Sequence, residues 1–178
     1  MKRLSLTLIA GIAAMVPAVA QQNPMATEVQ QSWGRTMSNV VAAAEKMPEE
    51  NYGFKPAPES QSFRDLVAHT ADSAMGACTA FSGERKTAGA ANMQSKADLV
   101  GALKSVAAEC EKTYGSFTDA KATEMIAGRG GQNTRIGSLY RNVIHIEHEY
   151  AQMAVHLRLK GLVPPSSEGR GGGAGKKK

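Results

Sequence analysis

Four stretches of this chain repeat apolar residues at helical spacing, and no stretch of any length alternates apolar and polar residues as a half-buried strand does. That pattern constrains the fold more than any other feature. The first stretch runs from Ala26 to Lys46, with Val29, Trp33, Met37, Val40, Val41 and Ala44 in phase and Pro48 as its stop. Gly53, Pro56 and Pro58 then mark a loop. A second stretch, capped by Ser60 or Ser62, continues to Phe81 with Phe63, Leu66, Val67, Thr70, Ala74, Ala77 and Cys78 on one face. A third starts at Ser95, with Asp98 three residues on, and ends near Tyr114. A Gly-rich loop at Gly128, Gly130 and Gly131 follows. The fourth runs from Arg135 to Lys160 and ends at Gly161, with Pro164 and Pro165 beyond. The expected fold is an all-α four-helix bundle with long crossover loops. Aromatic residues at 5% and abundant alanine argue against a sandwich or barrel.

The two cysteines fix a topology. Cys78 lies 16 residues after Ser62 and Cys110 lies 15 after Ser95. The two stand at matching heights only if the second and third helices are parallel. In antiparallel helices they would be about 15–18 Å apart along the axis, beyond the roughly 7 Å that a disulfide spans between Cα atoms. Residues 82–94 reach about 43 Å when extended, enough to return along a helix of about 30 Å. A Cys78–Cys110 disulfide across parallel helices is therefore expected, and it suits an oxidising compartment.

Both ends of the chain read differently from the middle. Lys2 and Arg3 precede an apolar run, Leu4 to Val16, and Pro17 leads into Ala18-Val19-Ala20, the pattern of a cleaved signal peptide over residues 1–20. No other segment is long and apolar enough to span a bilayer, so export, to the periplasm, is the expected localisation. Residues 168–178, rich in Gly and ending in three lysines, read as a disordered tail. The net charge of +5 hints at a polyanion partner, but six of the positive charges lie in 1–20 and 170–178, which hold no acid. Residues 21–169 are thus at −1, and nucleic-acid binding is not expected. No phosphate loop and no nucleophile elbow are present.

Chemistry concentrates on the histidines. On a helical wheel, Leu139, Val143, Ile146, Tyr150, Met153 and Leu157 define the core face of the fourth helix. His148 points away from that face. His145 and Glu149 lie near its edge, one turn apart, and His69 occupies a similar edge of the second helix. Facing helices would bring the three together as an N,N,O ligand set for a divalent cation. His156 is about 16 Å further along and cannot join the same ion. It reads as exposed, as does His148. Asp65 and Asp72 read either as carboxylates orienting His69 or as solvated surface acids.

Three segments carry a resemblance: Asn51-Tyr52-Gly53-Phe54-Lys55-Pro56; Ser62 to His69; and His145-x-x-x-Glu149-Tyr150-x-Gln152 running into Leu157-Arg158-Leu159-Lys160-Gly161-Leu162-Val163-Pro164-Pro165. Over residues 25–167 the chain resembles the DinB family of metal-dependent bundles. The resemblance implies up-down-down-up topology and a three-His site with one His on the second helix and two at i and i+4 on the fourth. His69 and His145 match the first two; the third falls on Glu149. Three outcomes follow: a His2Glu site, a site in which His148 substitutes, or no metal. Carboxylate in place of imidazole keeps a ligand competent for zinc, nickel or manganese while lowering the site charge by one. Characterised relatives implied by the resemblance include thiol-dependent transferases and isomerases, but an exported chain does not meet a reduced cytosolic thiol. The expectation is an exported metal-dependent hydrolase or transferase acting on a small-molecule substrate. The alternative is a non-catalytic metal- or ligand-binding bundle of the cell envelope. A homodimer is the assembly left open.

Overall fold

The computed structural model describes residues 23–169 except 82 and 129. The proposed signal segment over 1–20 lies outside these residues, as does the tail from 170 onward. Four long helices form the bundle: α1 (Pro24–Lys46), α2 (Phe63–Ala80), α3 (Lys96–Gly115) and α4 (Arg135–Leu159). Their starts are capped as the sequence dictates. The Ser62 hydroxyl accepts from the Asp65 amide, Ser95 from Asp98 and Thr134 from Gly137, each meeting one of the amide donors left open at a helix start. Helix α1 is capped from elsewhere in the chain. Asp119 accepts from the amides of Met25 and Ala26 at 3.2 and 2.8 Å, and Asn23 Oδ1 accepts from the Asp119 amide at 3.0 Å. Gly161, at φ +74°, ends α4 in the left-handed conformation that glycine adopts without steric cost.

Side-chain contacts give the direction of each helix. Gln30 near the start of α1 meets Glu111 near the end of α3, whereas Lys96 at the start of α3 meets Glu45 and Met47 at the end of α1, so these two are antiparallel. Thr36 meets Glu147, and Lys46 meets Val163 just beyond α4, so α1 and α4 are parallel. Cys78 and Cys110 are bonded with Cα atoms 5.2 Å apart, across parallel α2 and α3. The order is up-down-down-up, as the cysteine spacing requires. Arg64 and Asp72 of α2 pin the crossover between α2 and α3. Arg64 donates to the carbonyls of Ala91 and Met93, and Asp72 accepts from Thr87 Oγ1 and the amides of Ala90 and Ala91.

The core runs the length of the bundle. Trp33 and Tyr114, each about 1% exposed, stack with ring centroids 4.9 Å apart. Tyr114 donates its hydroxyl to the Leu139 carbonyl at 3.1 Å, satisfying the one polar atom of a buried ring. Tyr52 does the same with Ala44 at 2.7 Å, and burial pushes both phenols well above the usual range. Tyr150 pins the segment after α4, donating to Ser166 Oγ and accepting from the Ser166 amide.

One expectation is overturned. The connection from α3 to α4 contains an antiparallel hairpin, β1 (Met125–Gly128) and β2 (Gly131–Thr134), where the sequence offered only a loop. The strands are short and mostly exposed on both faces, so they carry no alternating apolar pattern to read. Gly130, at φ +86°, supplies the turn between them. Among the described residues no helix is long and apolar enough to cross a membrane.

Candidate metal centre

The site lies where α2 passes antiparallel to α4. One carboxylate oxygen of Glu149 faces both imidazoles, with His69 Nε2 and His145 Nδ1 each 3.8 Å from Oε1. The two rings meet edge to face with centroids 5.3 Å apart. Potential ligand atoms of the three residues all lie within 4.8 Å of one another. The helix wheel explains the meeting: His145 and Glu149 are one turn apart on α4, and His69 stands on the facing edge of α2.

Their environments differ. Glu149 is buried, with its side chain 6% exposed, whereas the His69 and His145 side chains are 46% and 40% exposed. Gln152, one turn along α4, donates to the other carboxylate oxygen of Glu149 at 3.0 Å. That bond fixes the carboxylate plane and leaves Oε1 aimed between the imidazoles. At 3.8 Å neither ring nitrogen is within hydrogen-bond reach of Oε1, so the oxygen faces both imidazoles across a gap. Burial pushes the His145 imidazole below its ordinary range; Glu149 pulls the other way, and His69 and His148 add to the lowering. The neutral imidazole so favoured is the form that coordinates a cation.

The donor set fits a divalent transition ion. Bonds of about 2.0–2.2 Å put tetrahedral donors roughly 3.4 Å apart, so each imidazole closes on Glu149 by a few tenths of an ångström, and the two imidazoles, whose ligand atoms lie within 4.8 Å, close on each other by up to about an ångström more. The half-exposed imidazoles have room to make that adjustment by side-chain rotation. Two imidazoles and one carboxylate suit zinc, nickel or manganese. The donors stand at the wall of a cleft of about 620 Å³, which His69 and His145 help to line. Its other walls come from α2, from Phe81 and Arg85 of the crossover, and from Ile126, Ala127 and Asn133 of the hairpin.

A family model described as the DinB superfamily matches residues 32–153, a span that includes all three side chains. The chain belongs to the DinB superfamily. Two solved DinB-like proteins share its fold. One, from Bacillus cereus ATCC 10987, aligns over 78% of this chain and 95% of its own, with TM-score 0.66 and 18% identity. The other, from Bacillus subtilis, aligns over 75% and 92%, with TM-score 0.62 and 22% identity. No curated protein matches the chain.

Other residues singled out in the sequence have different surroundings in this DinB-superfamily bundle. His148 is exposed on α4 and is not part of the three-residue group. His156, which the sequence reading takes as exposed, is 3% exposed. Its ring nitrogens face the carbonyls of Gln152 and Gln61 at 2.9 and 3.2 Å, and Phe54 and Phe63 pack around it. The loop before α2 covers that side of α4. Asp65 bonds Ser62 and Arg64, and Asp72 holds the crossover, so both carboxylates have structural partners away from His69. The sequence reading missed Asn142. It is buried in the cleft wall, and its Nδ2 reaches Tyr114 Oη at 3.2 Å and Cys78 Sγ at 3.5 Å. In the sequence Gln152 belongs only to the segments that carry the resemblance, although its i+3 spacing from Glu149 marks it as a neighbour.

Proposed function

We propose that this chain is an exported, divalent-metal-dependent enzyme, a hydrolase or transferase, with His69, His145 and Glu149 as its metal ligands. The observation that carries this reading is the convergence of three donors within 4.8 Å at the wall of a cleft of about 620 Å³. Structural zinc sites close with four protein ligands, whereas catalytic ones keep three and leave a position for substrate or water. A divalent ion held here supplies Lewis acidity towards a water molecule or a substrate carbonyl. The protein's own part is to aim and to enclose. Gln152 orients the Glu149 carboxylate, burial keeps His145 neutral, and the hairpin walls the cleft on one side.

Export is part of the same proposal. Residues 1–20 serve as a cleaved signal, 21–167 form the bundle, and 168–178 are a Gly- and Lys-rich tail. The buried Cys78–Cys110 disulfide supports an oxidising compartment, which for an exported bacterial chain is the periplasm.

The test is elemental analysis of the full chain after export, repeated with His69→Ala and Glu149→Gln. Near-stoichiometric zinc, nickel or manganese in the unsubstituted chain, lost in both variants, is the expected result. Substoichiometric metal in all three removes the ligand assignment. Reloading with manganese and measuring water proton relaxation then separates an open site from a closed one. A bound ion with no exchangeable water would leave a non-catalytic binding bundle.

A further inference from the structure

The cleft beside the three donors has a chemistry of its own. Among the described residues two arginines, Arg85 and Arg141, line it, and no aspartate or glutamate does. Arg141 donates to Asn133 Oδ1 on β2 at 2.7 Å and so ties the hairpin to α4. Arg85 is differently placed. It comes from the crossover and rests against Gly76 of α2, where a Cβ would stand 3.0 Å from its Nε and 3.2 Å from a terminal nitrogen. A Cβ at position 76 would make the guanidinium give way by a few tenths of an ångström. Among the described residues none accepts a hydrogen bond from Arg85 or forms an ion pair with it.

Next to this cation the walls are apolar, with Ala77, Phe81 and Ile126 contributing. Asn142 is also part of the wall; it is 6% exposed. A volume of about 620 Å³ lies within the range of small-molecule sites. A planar, permanently charged fork without an internal partner matches a carboxylate better than it matches any neutral group.

We propose that the cleft binds a small organic carboxylate, its anionic head on Arg85 and its apolar body against Phe81 and Ile126. The inference rests on the metal reading only for which end of the molecule reacts, since His69 and His145 stand at the cleft wall. Recognition of the carboxylate belongs to Arg85 and holds in the metal-free chain.

The experiment uses the full chain, first treated with chelator, and titrates 4-phenylbutanoate against its uncharged amide by calorimetry or by amide chemical-shift changes. The acid is expected to bind about tenfold more tightly than the amide, the scale of one charge-assisted hydrogen bond. In Arg85→Met that preference disappears while affinity for the amide is unchanged; Arg85→Lys retains part of it. Circular dichroism confirms that both variants fold, as expected for an exposed crossover residue. Equal binding of acid and amide by the unsubstituted chain overturns the proposal, and so does an acid preference that survives Arg85→Met. Metal content of the same preparations keeps the two readings apart. Acid preference in a chain that takes up no metal leaves the carboxylate site standing without the metal centre. Stoichiometric metal without acid preference leaves the metal centre standing alone.

Discussion

Replacing Cys78 and Cys110 together by alanine tests the topology through stability. The two are 32 positions apart, so their bond closes a loop that the unfolded chain would otherwise explore freely. In the chain-entropy account a loop of that size restricts the unfolded state by about 12 cal/mol/K, or about 3.7 kcal/mol at 25 °C. Both residues are essentially buried, at 1% and 0% exposure, so the missing sulfurs also leave space in the core and take a contact from Asn142 Nδ2. The expected loss is therefore about 4 kcal/mol, or a fall in Tm of about 8–15 °C for a domain of this size. Urea unfolding, with and without a phosphine reductant, is the assay. The unsubstituted chain should lose the same stability once reduced, and the double variant should not respond to reductant. A loss below about 1 kcal/mol, or an unsubstituted chain indifferent to reductant throughout unfolding, would refute the reasoning.

Three further outcomes follow from particular side chains. Gln152→Ala should lower metal affinity about 10- to 100-fold with unchanged helicity, as loss of a ligand's orienting partner does; competition with a chromophoric chelator reads it. For Asp72, burial raises the carboxyl and the bonds from Thr87 and the amides of Ala90 and Ala91 more than offset it, so its folded value lies below 3.8. Its stabilising contribution is then present above 3.8 and lost as pH falls through the lower folded value. Asp72→Asn should accordingly be less stable than the unsubstituted chain at pH 6 and should approach it at about pH 2 in urea melts; a constant gap would count against the account. His156→Ala should cost about 2 kcal/mol or more, because it opens a cavity and strips a donor from a buried carbonyl; thermal unfolding measures it.

What the sequence made legible was whatever repeats or caps. Ser62, Ser95 and Gly161 mark helix ends through bonds to their own neighbours, so their roles are local and readable. The matching offsets of Cys78 and Cys110 carried long-range information because a disulfide has a fixed reach. The meeting of His145 with Glu149 follows from one helix turn, and that of His69 with both follows from facing edges. What escaped depends on segments without periodicity. The hairpin is exposed and glycine-rich, so only its turn leaves a trace. His156 is buried by the loop before α2, which a wheel of α4 alone cannot show. The capping of α1 by Asp119 joins positions more than 90 residues apart, and no local pattern announces it. Arg85 sits in a crossover whose course is set by Asp72 and Arg64, so its place against Gly76 emerges only in three dimensions.

The bundle has two kinds of seam along α2. One, against α3, is held by a covalent bond; the other, against α4, is held by side chains alone. The three donors straddle the second seam, with His69 on one bank and His145 and Glu149 on the other. A small rigid-body rotation of the cross-linked α2–α3 pair against α1 and α4 is a motion the disulfide leaves free. It is also a motion that widens or narrows the gap between His69 and Glu149. In the proposed metal centre such a motion would alter a spacing on which grip of a cation depends.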